Sequence, residues 1–390
     1  MNRSRTISGI ICLAAICLPI LIAPFQLTQS LGFVHDMENR TPNAFPEIDS
    51  AGNLIDAHWW AQISSAFEDR VPFRKQMVTA NRFVFPPRSG DRISSKVELG
   101  QPGWLFFRNS LAQDLGTLDE THRSIDSIES FIANNTFKAD LYIVVAPNKV
   151  VIYPEQLLES SRALFATSKQ QREDLQSYFA RPNTPYLIDV WTPMFEAKAF
   201  EAKSTSPELI YEPAGSHHNS RGALILARTM IDAIDESLWD DREEAEEWTR
   251  TEIPDIAKVI GDWEIQETNT RLQIHRPGIE IVELLDEGTL VQHPSYLSIN
   301  QATKYGRKSV TNRSISQPLI SGTTLIIYDS FIEHYLLPTL SQYFSDVQFV
   351  HIGTIDPAFF HDALDTYDRV YFQSAERHIV PRATEFFGSD

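Results

Sequence analysis

Ser330 stands where an apolar run ends, in Leu325-Ile326-Ile327-Tyr328-Asp329-Ser330-Phe331. Helical spacing follows in Ile332, Tyr335, Leu336, Leu340, Tyr343 and Phe344. The pattern predicts a buried strand, a sharp turn, and a helix that packs one face back on the sheet. At such a corner a hydroxyl projects from the carboxyl edge of the sheet, and backbone N–H groups at the helix start can hold an anion. The chemistry that fits is nucleophilic attack on an acyl carbonyl. The same serine can also cap a helix with no chemistry at all. A nucleophilic serine needs a base, and Tyr211-Glu212-Pro213-Ala214-Gly215-Ser216-His217-His218-Asn219 offers two imidazoles in a loop before a helix. The bland alternative is a capping loop with surface histidines. A metal site would need further ligands at helical or hairpin spacing, and none is nearby.

The elements that must position these groups read as an alternation. Ala139–Ala146 is a buried strand by its β-branched run, ending in Pro147-Asn148-Lys149 with Tyr153-Pro154 beyond. Helices are expected over about 124–134 and 169–179, and a second apolar strand at 186–190 ends near Asp189. After the histidine loop a helix runs to about Leu238, and the acidic run Asp240–Glu247 is expected to be a solvated helix face. Between 262 and 316 the pattern turns to β, at 263–265, 271–274, 279–285 and 308–315. Strands come after the Ser330 helix at 347–352 and 369–372, and the chain closes on Glu376-Arg377 and a short polar tail. Strands alternating with helices predict an α/β fold with a doubly wound parallel sheet. The antiparallel excursion is an insertion at about 240–318.

Composition narrows the function. The chain has 390 residues, enough for one large domain or two modest ones. Lys plus Arg number 34 against 52 Asp plus Glu, a formal charge of −18, which disfavours nucleic acid and mildly disfavours a polyanionic substrate. Arg3 and Arg5 precede an apolar stretch, Ile7–Phe25, and no charge follows until Asp36. That length and charge asymmetry predict an uncleaved N-terminal transmembrane helix with the bulk of the chain outside the cytoplasm. A cleaved signal peptide is the rival, without a clean small-x-small site to support it. Both cysteines, Cys12 and Cys17, lie in this stretch, so the exported part has no disulfide and no cysteine-held metal. The expected division is a membrane anchor at 1–30, a helical lead-in at 31–95, and the α/β domain at 96–390.

In order, these segments resemble the periplasmic polysaccharide O-acetyltransferases of the alginate AlgJ/AlgX type, whose fold is SGNH-hydrolase-like. Asn39-Arg40 and Asp69-Arg70-Val71-Pro72-Phe73-Arg74 look like the family's opening, and Gly103-Trp104-Leu105-Phe106 like its Gly-Trp-Leu-Phe strand. Pro147-Asn148-Lys149 with Tyr153-Pro154 resembles its next signature. Asp329-Ser330-Phe331 with Leu337-Pro338 resembles the nucleophile block, and Glu376-Arg377 the terminal Glu-Arg. The resemblance implies a serine nucleophile, Ser330, with His217 as base and no cofactor or metal. It also implies a polysaccharide acceptor, and an acetyl donor supplied by a multi-spanning membrane acyltransferase. The chain would then be a single-pass protein of a bacterial inner membrane with its bulk in the periplasm.

One position departs from the pattern. The family's loop reads Thr-Asp-x-His-Trp-Asn-x-x-Gly-Ala, its aspartate and histidine completing a triad with the serine. Aligned on Asn219 and Gly222-Ala223, His217 takes the histidine position, His218 the tryptophan position and Gly215 the aspartate position. Losing the carboxylate that orients a catalytic histidine costs about 10⁴ in a serine protease. Glu212 could reach the imidazole if the loop folds back, Asp189 and Asp329 are further candidates, and His218 could act as partner or base. Two functions are then open: an O-acetyltransferase, and a membrane-tethered glycan-binding or assembly subunit that keeps the fold without the chemistry.

Overall fold

The computed structural model describes Trp59 and residues 96–388, apart from 113–114, 202, 204–208, 240–243, 261, 263, 302–305 and 334–335. The expected membrane span, Asn39-Arg40 and the segment 69–74 lie outside the described residues. Among the described residues no helix is long and apolar enough to cross a membrane. Two compact units are formed, one by 1–93 with 257–265 and one by 94–256 with 266–390. The sheets belong to the second unit.

In chain order its strands are β1 (Val97–Leu99), β2 (Leu105–Phe107), β3 (Asp140–Ala146), β4 (Leu187–Ile188), β5 (Glu244–Glu252), β6 (Glu267–His275), β7 (Ile279–Asp286), β8 (Thr289–Leu290), β9 (Lys308–Ser314), β10 (Ile320–Tyr328), β11 (Phe344–His351) and β12 (Arg369–Ala375). An eight-stranded sheet runs β4-β3-β12-β10-β11-β9-β7-β8, while β1-β2 and β5-β6 are separate antiparallel ribbons. The five strands from β4 to β11 are mutually parallel. Their continuous apolar runs follow from burial on both faces: Ile143, Val144 and Val145, then Ile326, Ile327 and Tyr328, are fully buried. Alternation along β12 shows the two covering layers. Tyr371 donates to the Met230 carbonyl of the helix Ser220–Asp235 at 2.9 Å, whereas Phe372 packs on Phe360, Phe386 and Phe387 of the opposite layer.

Several expectations are corrected. The antiparallel excursion does not stand apart from the parallel sheet. Only β5–β6 does so, and β9 pairs antiparallel with β11, so that β9, β7 and β8 extend the main sheet. Buried backbone N–H and C=O groups along the outer side of β11 need partners, and β9 supplies them. The helix after Ser330 is not continuous: it is Ser330–Glu333, then Leu337–Ser341, and Phe344 already opens β11. Pro338 explains the break, because proline lacks an N–H and clashes with the carbonyl four residues back, so it sits in a first turn. Residues 244–252, expected to be helical in part, form β5, and the polar tail is the helix Glu376–Phe387. The strand at 186–190 pairs only through Leu187 and Ile188, and of the strand expected at 263–265 the described residues 264 and 265 lie outside any strand.

Every parallel strand ends on one edge, where open α/β sheets bind ligands. Central β10 sets that edge. Truncating Ile326→Ala would remove a fully buried side chain from it, with an expected loss of about 2–5 kcal/mol. A denaturant midpoint shift at unchanged slope would check this.

Candidate active site

Tyr328, Asp329 and Ser330 turn the chain from β10 into the short helix Ser330–Glu333. Asp329 clamps that corner. Its Oδ1 accepts the Phe331 N–H at 3.0 Å, and its Oδ2 accepts the Ala375 N–H at 2.7 Å and Arg382 Nη1 at 2.9 Å. Burial alone would raise this carboxyl, but the Arg382 charge and the two N–H donors outweigh it and hold it well below the usual range. Asp329 therefore ties the serine's corner to the end of β12, and its bonds go to these three donors rather than to either imidazole.

The histidine loop is built as a short hairpin. Tyr211 and His218 form a bridge, and the Asn219 N–H donates to the Ile210 carbonyl at 3.1 Å. Asn219 then caps the helix Ser220–Asp235, its Oδ1 accepting from the Arg221 and Gly222 N–H groups at 3.0 and 3.2 Å. Gly222 is required there: a Cβ would lie 2.3 Å from the Ile210 oxygen. Lys149, just past β3, reaches under the loop. Its Nζ donates to the carbonyls of Glu212 at 3.1 Å, Pro213 at 2.7 Å and Gly215. Burial pulls this ammonium down to about 7, against the charges of Asp255, Glu267 and Glu212.

The loop delivers His217 to Ser330, with Nε2 and Oγ 2.9 Å apart across 113 residues of sequence. On the other side of the ring, Nδ1 lies 3.3 Å from Oδ2 of Asp255, the first residue of the helix Asp255–Val259. Asp255 is held by the loop itself. The Ser216 N–H donates to Oδ1 at 2.7 Å, the Ser216 hydroxyl bonds Oδ2, and Ser216 Oγ lies 3.1 Å from His217 Nδ1. Burial raises the Asp255 carboxyl, yet His217 and the Ser216 donors together hold it far below its ordinary value. The ring of buried Phe331 packs on the imidazole, centroids 5.0 Å apart. Hydroxyl, imidazole and carboxylate thus stand in sequence, an arrangement able to activate a hydroxyl for acyl transfer.

The carboxylate is not one of those expected. Glu212 turns away from the imidazole: its Oε1 accepts Asn269 Nδ2 at 3.0 Å and faces Arg271 Nη1 at 3.5 Å. Burial pushes it up to about 8, with Arg271 opposing. Asp189 caps the helix Trp191–Glu201, accepting from the Thr192 N–H at 3.2 Å and its hydroxyl at 2.6 Å. His218 is fully enclosed, with no hydrogen-bond partner at either nitrogen among the described residues, and burial drives it down to about 3, which favours the neutral ring. Asp255 escaped the sequence because it lies 39 residues from Ser216 with β5 between, a distance that no spacing rule spans. Ser216 was hidden beside the histidines. Among the described residues no group of three or more His, Cys, Asp or Glu could hold a metal ion.

Glu212 carries a pH signature. Unfolded, it loses its proton near 4.5; folded, near 8. Between these values the native state binds more protons, so the contribution of Glu212 to stability is present at low pH and lost as pH rises through 8. The unfolding free energy of the wild type relative to Glu212→Gln is expected to fall by up to a few kcal/mol from about pH 4.5 to 8. Denaturant titrations of both proteins across that range check it.

No protein-family model and no curated protein matches the chain. Among solved structures it is similar to Bacillus cereus PatB1 bearing a sulfonyl adduct, at TM-score 0.48 and 14% identity, covering 73% of this chain and 97% of that one. It is also similar to a DHHW family protein from Eubacterium siraeum, at TM-score 0.48 and 13% identity over 68% and 88% of the two chains. A third is the O-acetyltransferase domain of Pseudomonas putida AlgJ, at TM-score 0.39 and 15% identity over 73% and 92%. These are likenesses of the chain trace; the chemistry of the site rests on its own geometry.

Proposed function

We propose that the chain is a serine-dependent O-acetyltransferase that esterifies hydroxyls of an exported polysaccharide. The observation that carries this is the 2.9 Å contact of His217 Nε2 with Ser330 Oγ, backed on the far side of the ring by Asp255. His217 takes the hydroxyl proton as Ser330 Oγ attacks the acetyl carbonyl. The oxyanion is held by the Ser330 N–H at the start of its helix. The tetrahedral species collapses, Nε2 passes its proton to the departing group, and an acetyl-serine is left. A sugar hydroxyl then gives its proton to Nε2 and attacks the ester, and the proton returns to Ser330 as the bond to Oγ breaks. Asp255 stabilises the imidazolium in both halves.

The acetyl group and the polysaccharide acceptor are assigned on the in-order motif resemblance. On the same reading, the stretch Ile7–Phe25 anchors the chain in an inner membrane, the catalytic unit faces the periplasm, and a multi-spanning acyltransferase hands over the donor. The charge of −18 makes a neutral glycan an easier acceptor than a uronate polymer. The non-catalytic alternative drew on Gly215, and Asp255 beside His217 removes that motive.

A sulfonyl fluoride should modify wild-type Ser330, read by peptide mass spectrometry, and leave Ser330→Ala unmodified. Equal labelling of the two proteins would overturn the assignment. Asp255→Asn should keep the site's shape and lower turnover by up to about 10⁴-fold.

A further inference from the structure

Two neighbours compete for the Ser216 hydroxyl. Its oxygen bonds Asp255 Oδ2 and lies 3.1 Å from His217 Nδ1. A hydroxyl carries one proton, and an ionised carboxylate can only accept. The proton of Ser216 therefore goes to Asp255. A lone pair of Oγ is left facing Nδ1, so that nitrogen must carry a hydrogen or two lone pairs would be opposed. With Nδ1 protonated, Nε2 of the neutral ring is bare, and it is Nε2 that lies 2.9 Å from Ser330 Oγ. The direct contact of Nδ1 with Asp255 is 3.3 Å, at the long end for an N–H···O bond. The hydroxyl is the nearer acceptor.

We infer that Ser216 is a positioning residue: it fixes His217 as the Nδ1–H tautomer and holds Asp255 in place, so that the basic nitrogen faces Ser330. This deepens the proposed acyl-transfer reading and rests on it for its kinetic consequences. Ser216 is suited to both tasks. Its side chain is buried, its backbone N–H grips Asp255 Oδ1 at 2.7 Å, and it is bonded in sequence to His217. One residue thus sets both the place of the acid and the tautomer of the base. Ile256 adds an N–H to Oδ1 at 2.9 Å, which holds the carboxylate but does not touch the ring. Serine at this position is accordingly part of the proton arrangement.

The test uses the full chain and three variants, Ser216→Ala, Ser216→Thr and His217→Ala. With nitrogen-15-labelled histidine, the His217 signals are identified by their loss in His217→Ala. The wild type is expected to show the Nδ1–H tautomer at neutral pH, and Ser216→Ala a mixture of both tautomers. In steady-state hydrolysis of p-nitrophenyl acetate, Ser216→Ala should lose about tenfold to a hundredfold in kcat, the scale of a misplaced reacting group, with KM nearly unchanged. Ser216→Thr, which keeps the hydroxyl, should recover most of both signals, and thermal melts of each variant separate these effects from unfolding. An Nε2–H tautomer in the wild type would overturn the inference. So would a folded Ser216→Ala that keeps both the wild-type tautomer and the wild-type kcat. A wild type with the expected tautomer but no turnover above that of Ser330→Ala, assayed alongside, would instead sink the acyl-transfer reading while leaving the tautomer assignment standing.

Discussion

A neutral imidazole removes a proton only through its bare nitrogen, and only while that nitrogen stays within hydrogen-bonding reach of the hydroxyl. Holding two groups from sequence-distant segments to that tolerance is a packing problem before it is a chemical one. The parallel sheet solves it as a ruler. Because β12 pairs with both β3 and β10, the carboxyl ends of these three strands share one edge. Ser330 follows β10 and is locked to the end of β12 through Asp329 and Arg382. The histidine loop is locked to the end of β3 through Lys149. A further bond closes the frame, since the Asn148 N–H donates to buried Glu376 at 2.8 Å and so joins the turn after β3 to the helix after β12.

The frame is polar where it could have been apolar. Lys149, Glu212 and Arg271 are all buried beneath or beside the loop. Burying such groups is costly, and a well-packed apolar cluster would often be as stable. What the polar set adds is direction. Three carbonyls converge on one ammonium, and that fixes the course of residues 212–215 in a way no apolar contact would. Removing Lys149 would take the donor from the Glu212 and Gly215 carbonyls in a buried place, each at a cost of about 1–3 kcal/mol, while the Pro213 carbonyl would keep the Leu105 N–H. We regard the network as the reason the loop presents Ser216 and His217 in a single geometry.

Much of this was legible in the sequence, for physical reasons that differ from residue to residue. The strands around Val144, Ile326 and Val370 announced themselves because a strand buried on both faces must be apolar throughout. The strand-to-helix corner at Ser330 was legible because an apolar run ending in Asp-Ser before a helical pattern can place its serine in few ways. The broken helix was within reach too, since Pro338 forbids a continuous one. The capping box of Thr117 and Glu120, which opens the helix Leu118–Asn134, is likewise a purely local signal, and it places that helix's start earlier than apolar spacing does. The β5 strand and Asp255 were not legible. The acidic composition of 244–252 argues against a strand until β6 is there to pair with it, and a carboxylate's partner across a fold leaves no mark on its neighbours.

The glycine in the loop shows why the carboxylate comes from elsewhere. A side chain at position 215 would put its Cβ 2.4 Å from Glu212 Oε2 and 2.9 Å from Glu212 Cβ. That space is already taken by Glu212, which holds Asn269 and faces Arg271 of β6. The carbonyls of residues 212 and 215 are in turn two of the three anchors of Lys149. A loop tied down so closely from below has no room for an acid of its own two residues before the histidine. The carboxylate beside the ring comes instead from Asp255, at the start of a helix. The Ser216 N–H and hydroxyl then fasten it to the very residue that precedes His217. Acid and base stay mechanically coupled although the chain between them is long. Rigidity of the loop and an external carboxylate are on this view one solution, since the first excludes a local acid and the second replaces it.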